Sequence, residues 1–399
     1  MKSKKAAAQK AGITLVVCAV AYAVCYTGRV NISVASPLLT ESGRLSAEAV
    51  GAMGSVFFFV YAVGRIVNGI IGDRVPPRFM IALGLSVSAV ANTAVGFIPP
   101  TALCIVLWGV NGWFLSMLWG ASLRATVQNA PDENARKRGA MAMSLAVGGA
   151  SVVGIAVPLA VTDLGVGYMF FLPGAIMLLA ALSAIFFLPR TEAEETAEKP
   201  EKLPLDKDAK RGIAFLLVPA AMHGVVKENV MLWAPLFFTQ VYGLDIKSAS
   251  VYIFISPVAA LAARLVFPLF YKLCLENEKL CAAVAFVICA AASASFLWSG
   301  MPVWFAAAAI GIIMVCASFV NASFLAVFPA SFARFGRVSS VSGIMDFASY
   351  MGAAAGSLSF GFMAAAAGYR AIMYVWGAIS VLSFVICFFA ARSRVREAA

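Results

Sequence analysis

The sequence predicts an all-α membrane protein whose twelve transmembrane helices form two pseudo-symmetric six-helix bundles. Of its 399 residues, 62% are hydrophobic and 12% are charged, whereas an average soluble domain has roughly a quarter of its residues charged. The apolar residues fall into twelve runs of about 20 residues, the length that crosses a bilayer as a helix. Polar residues of the first six runs also recur at matching positions in the last six.

The predicted helices follow directly from these runs. In the first half they lie near residues 12–39, 47–72, 77–98, 101–127, 138–161 and 168–189. In the second half they lie near residues 212–241, 247–273, 279–299, 302–330, 338–366 and 370–391. Residues 191–211 are rich in Glu and Lys and cannot bury a core. We therefore predict an N-terminal bundle over 1–190, a cytoplasmic linker over 191–211 and a C-terminal bundle over 212–399.

The basic residues predict the orientation of the chain. Most of the 30 Lys and Arg residues fall in the termini and in alternate loops, and Arg44, Lys247 and Arg370 fall in loops on the opposite side. Because loops rich in Lys and Arg stay cytoplasmic, we expect both termini to be cytoplasmic. The protein is predicted to be a multi-pass protein of the cell inner membrane, embedded in the lipid bilayer. Its net charge of +11 then needs no nucleic-acid partner.

The composition offers little for catalysis or metal binding. The chain has one histidine, and its eight cysteines lie in apolar runs or predicted cytoplasmic loops without metal-ligand spacing. The sequence shows no pairing of a nucleophile with a base. We expect a protein that is not an enzyme, needs no cofactor or metal and works as a monomer.

The polar residues of the two halves indicate an internal repeat. A cation, an amide and a proline occur in the same order and spacing in the first and seventh predicted helices. They are Arg29, Asn31 and Pro37 in the first, and Lys227, Asn229 and Pro235 in the seventh. Arg65 and Arg264 form a similar pair in the second and eighth helices. Such parallel repeats enclose a central cavity with a binding site near the membrane midplane, an arrangement that suits alternating access.

Ionisable residues inside the predicted spans point to the kind of ligand. They are Arg29, Arg65, Lys227, Glu228, Arg264 and Asp346. Each costs several kcal/mol unless it is paired or faces a wet cavity, with about 2.5–3.5 kcal/mol as the lower value at a helix centre. Cations outnumber anions in this set, and an excess of buried positive charge suits a cavity that receives an anion.

Arg29 and Lys227 are the central candidates for binding this anion, because each supplies one cation from an equivalent position. A carboxylate on another helix is the alternative partner for Lys227. Glu228 is about 100° around the helix from Lys227, so we expect it to be poorly placed for that role.

Three further side chains share the faces of these cations. Tyr22 and Tyr26 precede Arg29 by seven and three residues, so their hydroxyls can donate to an anion or their rings can serve packing. His223 precedes Lys227 by four residues and is either a ligand, a proton site or a packing residue. Asn31 and Asn229 complete the predicted substrate-binding set.

A second group of residues is predicted to control opening and closing. Arg65 and Asp346 lie at similar depths, roughly one-third into the membrane from the cytoplasm. We hypothesise that they form a salt bridge that breaks as the cavity opens, and Arg264 is the rival partner for Asp346.

The loop after the second helix resembles the loop motif of the major facilitator superfamily. Its matching residues are Gly69, Gly72, Asp73, Arg74 and Arg78. The resemblance implies the major facilitator fold, with Asp73, Arg74 and Arg78 acting in gating.

More closely, the chain resembles the organophosphate:inorganic phosphate antiporters. The matching stretches contain Tyr22, Tyr26, Arg29 and Asn31, the Gly72–Leu85 segment, Gly112–Arg124, and Trp233 to Pro235. The resemblance implies that Arg29, Lys227 and Arg65 bind a substrate phosphate, with Tyr22 and Tyr26 as hydroxyl ligands. The family has an arginine at Lys227, a histidine near Leu145 and a glutamate near Ile255, and these departures favour a carboxylate substrate or proton coupling.

Together these features predict a secondary active transporter of a small organic anion, phosphorylated or carboxylated, working by alternating access. Exchange for phosphate is one form of coupling. Symport of an organic acid with protons or sodium is the alternative, with Lys227, His223 or Asp346 titrating in the proton-linked form. A membrane-embedded sensor of sugar phosphates is the alternative outside transport.

Overall fold

The computed structural model describes residues 2–72, 75–189, 204–332 and 338–397. The described part is built of helices joined by short turns and contains no strand. Twelve of its helices are long and apolar enough to cross a membrane. The predicted fold class is therefore confirmed, and the chain is a multi-pass membrane protein.

The helices lie close to the predicted runs. The first six are α1 (Lys2–Glu41), α2 (Ala47–Gly72), α3 (Pro77–Gly96), α4 (Thr101–Leu115, continued as Met117–Gln128), α5 (Glu133–Leu159) and α6 (Tyr168–Phe187). The last six are α7 (Lys207–Tyr242), α8 (Ile246–Ile253, continued as Ile255–Leu273), α9 (Glu278–Ala294), α10 (Val303–Ala322), α11 (Val338–Ala367) and α12 (Tyr369–Glu397). Beyond α10, residues Ser323–Val327 form a π-helical turn.

Local chemistry accounts for several helix ends. Asp132 and Asp206 cap α5 and α7, since each side chain accepts a hydrogen bond from a backbone N–H three residues later, at 2.7 Å. Gly43 and Gly243 follow α1 and α7 with φ of 67° and 64°, a left-handed conformation that glycine adopts without steric cost. Each of the two repeat-equivalent helices is therefore followed within two residues by a glycine in the left-handed conformation.

The residues cluster into two compact units. One comprises Met1–Ala49 and Val56–Ala197, and the other comprises Val50–Ser55 and Glu198–Ala399. Within the first unit, α1 packs against α4, α5 and α6, and α3 packs against α4 and α6. Within the second, α7 packs against α10, α11 and α12, and α9 packs against α10 and α12. Adding six to each helix number converts one pattern into the other, which supports the internal repeat.

Glycines let the central helix pairs approach closely. A methyl group added at Gly154 of α5 would lie 2.9 Å from the Tyr26 carbonyl oxygen of α1. In the second unit, a methyl group at Gly352 of α11 would overlap the backbone of Ala221 in α7, and one at Gly356 would lie 2.9 Å from Asn229 Nδ2. These contacts hold α1 and α7, the helices that carry the two candidate cations.

Candidate functional site

Arg29 lies in the middle of α1 and is surrounded by aromatic rings. Its guanidinium carbon is 4.8 Å from the ring centre of Tyr61, 5.3 Å from that of Tyr26 and 5.7 Å from that of Phe57. Arg29 is only 8% exposed. Cation–π contacts with these rings stabilise a charge that the membrane would otherwise penalise. We call Arg29 with Tyr26, Phe57 and Tyr61 the first half-site.

Tyr22 extends this aromatic group by one turn of α1. Its ring centre lies 5.7 Å from that of Tyr26 and 5.3 Å from that of Trp119 in α4. Tyr22 and Tyr26 therefore lie on the same face of α1, as predicted. Their roles as hydroxyl ligands remain a prediction.

Phe57, Tyr61 and Trp119 were not among the predicted site residues. Phe57 and Tyr61 stack on each other along α2, with ring centres 5.7 Å apart. Their spacing of four residues, with Arg65 four residues further on, places all three on one face of α2. The sequence shows this spacing and so could have pointed to Phe57 and Tyr61. Only tertiary packing shows which helix this face contacts.

Asn31 belongs to a different cluster of the first unit. Its Nδ2 donates to Asn92 Oδ1 at 2.8 Å and to the Met169 carbonyl oxygen at 3.1 Å. Asn111 and Asn92 in turn donate to the Gly28 carbonyl oxygen, at 2.8 and 3.2 Å. These buried amides join α1, α3, α4 and α6, so the described contacts of Asn31 serve helix packing.

Lys227 is paired with the neighbouring acid of its own helix. Its Nζ lies 2.7 Å from Glu228 Oε1, and the two side chains are 25% and 12% exposed. Our expectation that Glu228 is poorly placed to be the partner of Lys227 is therefore wrong. Although the two Cα–Cβ bonds diverge by about 100°, the flexible lysine stem bends far enough to bring the charges together.

His223 lies one turn before Lys227 on α7 and is 1% exposed. Its Nε2 is 3.4 Å from Asn321 Oδ1 of α10, while its Nδ1 has no hydrogen-bond partner within the described ranges. We call Lys227, Glu228 and His223 the second half-site. It combines a cation, an acid and a buried imidazole, where the first half-site has a cation and three rings.

Asn229 repeats the packing role of Asn31. Its Nδ2 donates to the Val225 carbonyl oxygen at 3.0 Å and to the Ala353 carbonyl oxygen of α11 at 3.2 Å. Its Oδ1 accepts a hydrogen bond from Trp233 Nε1 at 3.2 Å. Both predicted asparagines therefore fix helices within their own unit, and our proposal for the anion site leaves them out.

The predicted gating residues are only partly described. Asp73 and Arg74 lie outside the described residues. Arg78 places its guanidinium carbon 4.6 Å from the ring centre of Phe79.

Arg124 of α4 ties that helix to the loop after α2, because its Nη2 donates to the Val75 carbonyl oxygen at 2.9 Å. Arg65, Arg264 and Asp346 are half-buried in α2, α8 and α11. Their role as a gate stays a prediction.

The sulfur and acid groups form no metal centre in the part of the chain that the structure describes. All eight cysteines are free and buried. No three His, Cys, Asp or Glu side chains come together there as ligands. The site chemistry of the described residues is that of charge pairing and hydrogen bonding.

Comparison with known proteins extends this picture. The chain is 29% identical over 98 residues to the "Probable hexose phosphate transport protein" of Chlamydia trachomatis. This alignment covers 25% of this chain and 22% of that protein. The chain is also 30% identical over 109 residues to the "Membrane sensor protein UhpC" of Escherichia coli. This second alignment covers 27% of this chain and 24% of that protein. These alignments span only about a quarter of each protein, and they bear out the resemblance to the organophosphate antiporters.

Solved structures give the same fold. A bacterial homologue of the human lysosomal transporter Spinster superposes with a TM-score of 0.80 at 17% identity, covering 97% of this chain and 98% of that one. The profile of the Major Facilitator Superfamily matches residues 18–345. This match spans most of the chain, and the chain therefore belongs to the Major Facilitator Superfamily.

Proposed function

We propose that the protein is a secondary active transporter of a small phosphorylated organic anion, working by alternating access in the cell inner membrane with both termini cytoplasmic. The observation that carries the proposal is the first half-site. A permanently charged guanidinium, 8% exposed and ringed by aromatic side chains in the middle of α1, is costly for the fold and useful for binding an anion. Its planar fork matches the geometry of a phosphate group.

The second half-site supports the same function. Lys227 occupies the position equivalent to Arg29 and lies partly exposed in the middle of α7. We propose that both cations contact the same anion during transport. A ligand held by both bundles binds one conformation better than the other, and this difference in affinity is what drives a conformational cycle.

The relatives favour a phosphorylated ligand over a carboxylated one. The Chlamydia trachomatis protein is named for the transport of hexose phosphate. The matched segments cover about a quarter of each chain, so the substrate class is part of our proposal.

A sensor is the second candidate function, because one of the relatives is named a membrane sensor protein. A sensor that binds the same ligand would use the same cations without net transport. Transport by the purified protein therefore separates the two functions.

The test uses purified protein in liposomes preloaded with labelled phosphate, with candidate anions added outside. We expect glycerol phosphate or a hexose phosphate to drive loss of the label, and Arg29→Lys to abolish it. Arg44→Lys is the matched control, because Arg44 lies in the short loop after α1. Binding without any transport would favour the sensor, and entry of an organic acid with an imposed proton or sodium gradient, without phosphate movement, would favour a symporter.

A further inference from the structure

Two buried asparagines of the first unit donate hydrogen bonds to the backbone beside Arg29. Asn111 of α4 donates from Nδ2 to the Gly28 carbonyl oxygen at 2.8 Å, and Asn92 of α3 donates to the same oxygen at 3.2 Å. Asn92 also donates to Asn111 Oδ1 at 3.2 Å and accepts a hydrogen bond from Asn31 Nδ2 at 2.8 Å. All three asparagines are buried. We call Asn31, Asn92 and Asn111 the amide cluster.

The accepting carbonyl belongs to the peptide bond that joins Gly28 to Arg29. Two hydrogen bonds to this oxygen, from two different helices, fix the rotation of α1 and its position along its axis at that point. The glycine allows this approach, since a methyl group at position 28 would lie 2.9 Å from Asn92 Nδ2 and 2.5 Å from Met177 Cε of α6. Any larger residue there would push α3 and α6 away from α1.

The backbone around Arg29 is also packed closely against α5. A methyl group at Gly154 would lie 2.9 Å from the Tyr26 carbonyl oxygen and 2.8 Å from Val30 Cγ2. The guanidinium carbon of Arg29 lies 4.8 Å from the ring centre of Tyr61. Because the arginine side chain has a fixed length, a shift of its backbone would move the guanidinium relative to that ring and to any bound anion.

The second unit packs the equivalent helices without such a cluster. The α9 segment Glu278–Ala294 contains no asparagine, and the asparagine of Val303–Ala322 in α10 is Asn321, which contacts His223. The helices α7 and α9 nevertheless pack against α10. Helix packing alone therefore does not require the amides. The difference matches the chemistry of the two cations, because a planar guanidinium must be oriented to bind an anion with two donors, whereas an ammonium is a point charge.

We propose that Asn92 and Asn111 are positioning residues for anion binding, which hold the backbone of Arg29 so that its guanidinium is oriented for the ligand. The inference rests on the proposed function, because Arg29 must bind the phosphate. The two amides act through the Gly28 carbonyl and do not touch the anion. Asn31 supports them, because its bond to Asn92 Oδ1 leaves the Nδ2 of Asn92 directed at Gly28.

The test measures the affinity for glycerol phosphate by calorimetry on the purified full chain. Asn111→Leu removes the donor and keeps a side chain of similar size, and we expect affinity to fall about fivefold, as for the loss of one hydrogen bond. The double variant with Tyr61→Leu shows whether the effect passes through Arg29. Since both changes disturb the same guanidinium, the double variant should bind no more than about twofold more weakly than the weaker of the two single variants.

The matched control is Asn129→Leu. Asn129 is a buried amide at the end of the same helix, and its Nδ2 donates to the Ala125 carbonyl oxygen within α4. This control should leave the affinity unchanged. Asn111→Ser shortens the side chain so that it no longer reaches Gly28, should also lose about fivefold, and keeps the test valid if Asn111→Leu does not fold.

Two results would contradict the inference and leave the proposed function standing. One is an unchanged affinity in the folded variants of Asn111. The other is a double variant whose loss equals the product of the two single losses, since the amide would then act independently of Arg29. Failure of the wild type to bind glycerol phosphate would contradict both the inference and the proposed function.

Discussion

The two half-sites present their cations in different ways. Arg29 is buried and packs among three aromatic rings, whereas Lys227 is half-buried and is paired with the adjacent carboxylate of Glu228. The rings stabilise the guanidinium of Arg29 by cation–π contacts, and the carboxylate of Glu228 stabilises the ammonium of Lys227 by charge pairing. The two half-sites therefore hold repeat-equivalent cations in different surroundings, one of aromatic rings and one that includes a carboxylate.

The difference also shows how a repeat can diverge. The surrounding helix packing is conserved between the units, since Asn31 and Asn229 both donate from Nδ2 to a backbone carbonyl of another helix. The residues around the cation differ, among them Val30 in α1 and Glu228 in α7. One substitution within a retained framework is enough to change the charge of a half-site.

The largest effect on phosphate binding is expected from replacing the guanidinium group of Arg29 by an ammonium group. Arg29→Lys keeps the charge but loses the planar donors that match a phosphate, and Lys makes poorer contacts with the rings. We expect a loss of about 1.5–3 kcal/mol in phosphate binding, about 10- to 150-fold in affinity. Calorimetry with glycerol phosphate measures this loss, and Arg44→Lys serves as the control. An unchanged affinity would contradict the role given to the first half-site.

A smaller effect on stability is expected from breaking the ion pair of the second half-site. Lys227→Gln leaves Glu228 without the ammonium that contacts it. We expect a destabilisation of about 2 kcal/mol, below the value for a fully buried pair because the side chains are 25% and 12% exposed.

The double variant Lys227→Gln, Glu228→Gln should recover most of that stability, because it removes both charges. Thermal unfolding in detergent checks this. Equal destabilisation in the single and double variants would show that the pair does not stabilise the fold.

The smallest effect is expected from removing one ring around Arg29. Tyr61→Leu removes the contact at 4.8 Å and keeps an apolar side chain of moderate size. A cation–π contact is worth about 0.5–2 kcal/mol, so phosphate affinity should fall about 2- to 30-fold.

Phe59→Leu is the matched control on the same helix, since Phe59 is 48% exposed and should have no effect. Tyr61→Phe keeps the ring and separates the contribution of the hydroxyl. If Tyr61→Leu binds phosphate as the wild type does, the rings serve packing alone.

The fold could be predicted from the sequence because membrane spans are set by hydropathy and length. The predicted second helix, 47–72, coincides with Ala47–Gly72, and most other helix ends agree to within about six residues, whereas α1 begins at Lys2 and not near residue 12. The cations inside the membrane spans could also be identified from the sequence, because an ionisable residue within an apolar run is recognisable without any knowledge of packing.

The surroundings of those cations could not be predicted in the same way. Phe57 and Tyr61 are two of many aromatic residues, and only the packing of α2 shows that they contact Arg29. Helical periodicity also led to the wrong prediction that Glu228 cannot pair with Lys227. The periodicity fixes the directions of the Cα–Cβ bonds but not the reach of a long side chain. Asn31 and Asn229 stood out because polar residues are rare in membrane helices, and only the structure shows that their amides join helices. Their role as ligands stays a prediction.

The most direct test of the account is whether Arg29 and Lys227 act on one anion. Calorimetry with glycerol phosphate on the wild type, Arg29→Lys and Lys227→Ala gives the number of binding sites and each dissociation constant. The account predicts one site per chain whose affinity falls in both variants. A second independent site, or an unchanged affinity in either variant, would contradict it.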